Sequence, residues 1–134
     1  MSVWGIGSYY KGSKPKDFTS IFLANGYAYI GWSKNDAPSI YQMFDSIKLG
    51  DIIYIKSYAR KYKSLNIKAM GIVTDTNKFQ NSNLGTGISV KWNTNFKPFS
   101  IPLTAEIYKN NVFNNTLYEE FNQDIIQKLI NSLF

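Results

Sequence analysis

The chain of 134 residues contains no cysteine and no histidine, and its only arginine is Arg60. Without thiol or imidazole there is no disulfide framework, zinc finger, cysteine nucleophile or Ser-His-Asp triad, and a transition-metal site would have to be built from carboxylates alone. A single arginine also rules out bidentate reading of guanine edges as the main recognition mode. Acidic residues are few, and those read here have structural work at hand: Asp36 and Asp51 begin elements, Glu119 and Glu120 start a helix, and Asp45 lies on a helix surface. With no histidine to act near neutral pH, no catalytic residue, metal or cofactor is expected. Gly5-x-Gly7 lacks the third glycine and following helix of a dinucleotide fingerprint, and no phosphate-cradling loop motif is present. No apolar run reaches membrane-spanning length, and Met1-Ser2-Val3-Trp4 lacks the regions of a signal peptide, so a cytoplasmic protein without membrane partners is expected.

Aromatic residues and positive charge are what the chain has in excess. It carries 10 Tyr, 9 Phe and 3 Trp, 16% of all residues, about twice an ordinary share. The net charge of +6 is uneven: residues 1–103 hold 13 basic and 5 acidic side chains, residues 104–134 hold 2 and 4. A basic body favours polyanionic partners through phosphate neutralisation and counterion release. With 44% hydrophobic residues and no repeat or linker, one domain over residues 1–134 is expected.

Local patterns suggest the elements. Residues 3–7 read as a strand and 9–16 as a loop. Asp17 is placed to cap a short helix over 18–24, with Asn25-Gly26 as its left-handed stop. A strand over 27–31 ends at Trp32. Asp36 and Pro38 then open a helix whose Ile40, Met43, Phe44 and Ile47 recur at helical spacing. Residues 52–56 form an apolar run too continuous for a half-exposed strand, and 65–74 and 87–92 read as further strands, with Ile88, Val90 and Trp92 on one face. Another strand is expected near 103–108. Residues 116–119 have capping-box spacing, and Asn122 is placed to cap a last helix with an Ile125, Ile126, Leu129, Ile130, Leu133 stripe. These elements imply an α+β fold, a curled mixed β-sheet or barrel of five to six strands flanked by two to three helices.

Three segments combine aromatic and basic residues at element ends: Tyr9-Tyr10-Lys11, Trp32-Ser33-Lys34, and Lys56-Ser57-Tyr58 followed by Arg60-Lys61-Tyr62-Lys63. An aromatic face stacks on a nucleobase for about 1–3 kcal/mol, and nearby lysines hold backbone phosphates. Packing is the alternative for such rings: Trp4, Tyr27, Tyr29, Tyr54 and Trp92 sit inside strands, where large side chains fill a core, and 58–63 also reads as a solvated hairpin.

Lys48-Leu49-Gly50-Asp51-Ile52-Ile53-Tyr54, followed by Ile67-Lys68-Ala69-Met70-Gly71-Ile72-Val73, resembles the paired signature of the PUA-like superfamily, with its EVE, YTH and ASCH branches. Ile6-Gly7-Ser8-Tyr9 is similar to the segment closing the first strand of EVE and YTH domains, and Ile30-Gly31-Trp32-Ser33 to the strand end that supplies their cage tryptophan. Residues 116–121 resemble a terminal helix module found with such domains in bacterial defence proteins. The likeness covers residues 1–75 well and the rest weakly. It implies a reader that seats one modified base, flipped from a duplex or taken from a single strand, in an aromatic cage. Trp32 would be one wall, Tyr9 would lie beside the base, and Ser8 and Ser33 would be polar contacts. Where YTH proteins offer a second tryptophan this chain has only Tyr58 or Tyr62, and Gly12-Ser13 stand where an acidic residue is found, leaving Asp36 to approach from elsewhere. Lys11, Lys34, Lys56, Arg60, Lys61 and Lys63 would hold phosphates.

The expected function is therefore a non-enzymatic module for modified nucleic acid, DNA in preference to RNA, in bacterial defence or modification-dependent restriction beside a partner nuclease or ATPase. Two other readings stay open. One is an ASCH-like nucleoside-processing enzyme, with Lys56 and Asp36 or Asp51 as its candidates; the other is a protein-interaction domain.

Overall fold

The computed structural model describes residues 1–10, 16–59, 63–102, 104 and 116–133. Its strands are β1 (Val3–Gly7), β2 (Tyr9–Tyr10), β3 (Lys16–Asp17), β4 (Tyr27–Ile30), β5 (Ile52–Ala59), β6 (Ser64–Asn81), β7 (Gly85–Trp92), β8 (Phe99–Pro102) and β9 (Leu117–Glu119). The helices are α1 (Thr19–Asn25), α2 (Pro38–Asp45) and α3 (Gln123–Asn131). The main sheet runs β4-β7-β6-β5-β1-β9, with β8 also paired to β6, and β2 pairs β3 separately. β1 and β5 are parallel, Val3 beside Ile52 through Gly7 beside Lys56; the other pairs are antiparallel. This is the α+β curled mixed sheet flanked by helices that the sequence pattern implies.

The apolar run at 52–55 is buried on both sides because the sheet is covered on both. Trp4, Ile6, Ile53 and Ile55 turn toward Phe22 of α1 and Phe44 of α2, while Val3, Ile52 and Tyr54 turn toward Ile125 and Leu129 of α3. β6 continues seven residues past its expected end, since register slips after Val73 and after Asp75 let it bend while still paired with β7. The exposed polar stretch there hides the strand from any alternation pattern. Residues 9–10 and 16–17 form a short ladder rather than a continuous loop.

The caps divide. Gly26 has φ +71° and ends α1, and Asn122 Oδ1 accepts from Ile125 N at 3.1 Å at the start of α3, as the sequence suggests. Asp17 is not at the cap position: α1 starts at Thr19 behind Phe18, which makes no side-chain cap, although Asp17 Oδ1 accepts from Thr19 N at 2.9 Å. Asp36 makes no cap: the residue before α2 is Ala37, Pro38 opens the helix, and Asp36 N bonds back to Ser33. The capping box expected at 116–119 is instead β9, because Leu117 and Tyr118 find buried positions on opposite faces beside β1. Of the strand expected at 103–108 only Thr104 is described, and it is not in a strand.

Gly5 is set by packing. A Cβ there would lie 2.5 Å from Tyr118 Cζ and 2.8 Å from Tyr54 Oη. These two phenols meet at 2.6 Å, and Tyr54 Oη donates to Glu120 Oε1 at 2.6 Å, so Tyr118 donates to Tyr54. Burial pushes both phenol pKa values up, which keeps the chain of donors intact. Gly5→Ala is expected to lower stability by about 1–3 kcal/mol through overpacking, measured as a fall in thermal midpoint by circular dichroism; an unchanged midpoint contradicts this packing.

Candidate nucleic-acid interface

The sheet curls until its two edges approach. Past β4, Tyr10 covers Gly31, where a Cβ would lie only 2.9 Å from the Tyr10 ring, and Tyr10 Oη donates to Leu84 O at 2.6 Å in the β6–β7 turn. The segment after β1 thus lies against the end of β4. Trp32 follows Gly31, and its indole Nε1 donates across 84 residues to Thr116 Oγ1 at 2.9 Å, just ahead of β9. Thr116 O in turn accepts from Gly7 N at 2.9 Å. Trp32 O accepts from Tyr41 Oη of α2 at 2.9 Å, and that hydroxyl also meets Thr86 Oγ1 at 2.8 Å. α2 packs against β9. Trp32 therefore sits on the seam between the two sheet edges.

Trp32 keeps 52% of its surface exposed and Tyr9 57%. Both were candidate base contacts, and both stand out to solvent in neighbouring segments. Ser33, also exposed, accepts from Asp36 N through its hydroxyl and its carbonyl, so Ser33 and the exposed Asp36 form the turn that leads from Trp32 to α2. Lys34 lies in that turn and is exposed.

Other candidates are placed differently. Ser8 is fully buried, its Oγ 2.9 Å from Asp17 Oδ1 and 2.7 Å from Thr19 Oγ1, with Lys68 Nζ at 3.4 Å. Lys68 Nζ also pairs with Asp17 Oδ2 at 2.8 Å. Burial alone would raise the Asp17 pKa, but the bonds from Lys68, Thr19 and Ser8 outweigh it and hold the carboxyl well below the usual range. The Ser8 hydroxyl is thus structural, an inward node rather than a surface contact. Lys56 is also buried, its ammonium 5.8 Å from the centre of the Tyr118 ring; burial first, and the charge of Lys68 second, lower its pKa to about 8. A solvated phosphate contact at Lys56 does not fit that position. Tyr58 belongs to β5, paired with Leu65 and half-buried, not to a loop. Lys63 is exposed in the turn before β6, at φ +44°. Lys11, Arg60, Lys61 and Tyr62 lie outside the described residues.

Of the residues named for an enzymatic site, Asp51 is taken up by structural bonds. Asp51 sits ahead of β5, where Oδ1 accepts from Ser2 N at 3.0 Å and Oδ2 from Trp4 Nε1 at 3.0 Å and Lys48 N at 2.9 Å. Lys56 is five residues further along the chain, roughly 16 Å at the strand rise. Among the described residues no group of three or more acidic side chains is placed to hold a metal ion. An open groove of about 280 Å³ lies elsewhere, between Leu23, Lys68, Trp92 and Phe96.

Sequence reasoning missed Thr116, Tyr41 and Lys68. Thr116 read as a helix cap and Tyr41 as one more residue of an amphipathic helix, and neither position carries a local signal for its long-range bond.

No protein-family model matches the chain, and no curated protein matches it. Among solved structures, an NMR structure of Rpa0253 from Rhodopseudomonas palustris is similar at 11% identity and a TM-score of 0.48, covering 98% of this chain and 92% of that one. Among the described residues no helix is long and apolar enough to cross a membrane.

Proposed function

We propose that the chain is a nucleic-acid-binding module that stacks a modified base against Trp32, in the manner of the EVE and YTH branch of the PUA-like superfamily its sequence resembles. The observation that carries this reading is a tryptophan ring half exposed to solvent yet tied at both its indole nitrogen and its carbonyl. A ring already fixed loses little freedom when a base stacks on it. Exposed Tyr9 stands in the adjoining segment, Ser33 and Asp36 offer polar groups in the turn that follows Trp32, and Lys34 and Lys63 supply positive charge for phosphates. A methyl group on the base adds about 0.8 kcal/mol of burial against aromatic walls. Such a reader acts in the cytoplasm in modification-dependent restriction, on DNA in preference to RNA, beside a partner nuclease that supplies cleavage or a partner ATPase.

The test is titration of the protein with oligonucleotides carrying methylated adenine or methylated cytosine against unmodified controls, in DNA and RNA, followed by tryptophan fluorescence. One modified base is expected to bind at least severalfold more tightly and to quench the indole. Binding should also weaken with salt: three neutralised phosphates correspond to roughly 40-fold over a fourfold rise in salt. Equal affinity for every oligonucleotide, without quenching, overturns the reading.

A further inference from the structure

The Trp32 indole N–H is already spent on Thr116, and this limits what the ring can do. β4 and β9 are the two edges of the main sheet, and the Nε1–Oγ1 bond at 2.9 Å is a side-chain tie across the seam between them. On the β9 side the tie is anchored by the bond from Gly7 N to Thr116 O, which continues the β1–β9 ladder by one residue. On the β4 side the backbone of Trp32 is held by Tyr41, itself braced on Thr86 of β7. Threonine is stiff at χ1, so an acceptor on so fixed a backbone defines the direction of the indole N–H and with it the plane of the ring.

We propose that Thr116 is a positioning residue that sets the stacking plane of Trp32. The inference rests on the reading of Trp32 as a base-stacking wall. It adds that Trp32 contributes a face and no hydrogen bond, so the ring is indifferent to base identity. Discrimination then falls to apolar burial of the modification and to the polar groups of the adjoining turn, Ser33 and Asp36.

Three variants test this: Thr116→Val, which keeps the shape and removes the acceptor; Thr116→Ser, which keeps the acceptor; and Tyr41→Phe, which loosens the other tie. Affinity for the preferred modified oligonucleotide is measured together with thermal midpoint and with exchange of the Trp32 indole N–H by NMR. Thr116→Val is expected to weaken binding roughly three- to tenfold, the cost of immobilising one freed side chain, to speed exchange, and to leave the midpoint within about 2 °C, as for other surface substitutions. Thr116→Ser should bind as the parent protein does, and Tyr41→Phe should weaken binding with the indole bond still protected. Unchanged binding by Thr116→Val, with faster exchange, overturns the positioning role while the base-reader reading stands. A midpoint lowered by more than about 5 °C makes Thr116 a residue of the fold and also overturns the role. A parent protein with no preference for any modified base overturns the reader itself, and the role with it.

Discussion

Trp32→Ala is expected to weaken binding of the preferred modified oligonucleotide by roughly 5- to 150-fold, the equivalent of the 1–3 kcal/mol carried by one base–aromatic stack. The thermal midpoint should move little, because the ring is half exposed and its hydrogen bond to Thr116 is a surface bond. The other two tryptophans set the contrast. Trp4 and Trp92 are buried, with indole nitrogens bonded to Asp51 and to the carbonyl of Phe22, and truncating either should cost about 3–5 kcal/mol of stability. Trp32→Phe, which keeps a stacking face, should fall between the parent and Trp32→Ala. The measurement is anisotropy of a labelled oligonucleotide, since the tryptophan signal is itself altered. Full affinity in a folded Trp32→Ala protein would remove Trp32 from the site.

Asp51→Ala is expected to be strongly destabilising. One carboxylate accepts from the backbone of Ser2 and of Lys48 and from the buried indole of Trp4, and so joins the N-terminus, the turn before β5 and the core. Removal leaves the Trp4 N–H buried without its acceptor and takes away three charge-assisted bonds, a loss of about 3–5 kcal/mol, or roughly 10–15 °C in midpoint. The pH dependence has a definite sign. Burial alone would raise the Asp51 pKa, but the Ser2 and Lys48 N–H groups, the Trp4 indole and the N-terminal ammonium together lower it from its ordinary 3.8. A carboxyl with a lowered folded pKa contributes its full stability above the unfolded value and loses it as pH falls through the folded one. The gap between parent and variant in urea unfolding should therefore be constant from neutral pH down to about 5, then narrow below about 4. A gap that does not change on acidification means that Asp51 acts by shape alone.

Much of the scaffold can be traced to short-range pattern. The helical stripe of Ile40, Met43 and Phe44 became α2, with Ile47 buried just past its end, the run at 52–55 is a strand buried on both faces, and Asn122 caps α3, because each signal is confined to a few residues whose chemistry acts on their own backbone. Asp36 and residues 116–119 show where that reasoning breaks. Their spacings fit helix caps, yet the backbone of Asp36 is used by Ser33, and β1 offers Leu117 and Tyr118 a ladder with burial on both faces, which a capping box does not supply. The exposed end of β6 has no alternation to detect, since its pairing with β7 is sustained through bulges.

By itself the sequence determined which chemistries are out of reach, through its missing thiols and imidazoles, and which segments are apolar enough to become strands and helices. It also placed an aromatic residue, Trp32, at the end of one of those strands. Which polar residues face solvent was decided only by tertiary structure. Ser8 and Lys56, alike in sequence context to Ser33 and Lys34, are carried inward by β1 and β5, interior strands of the sheet, whereas Ser33 and Lys34 lie past its edge. The tie between Trp32 and Thr116 has the same origin. It exists because a twisted sheet curls until its edges come within reach of a side-chain bond, and that approach is a property of the whole sheet that no local stretch of residues contains.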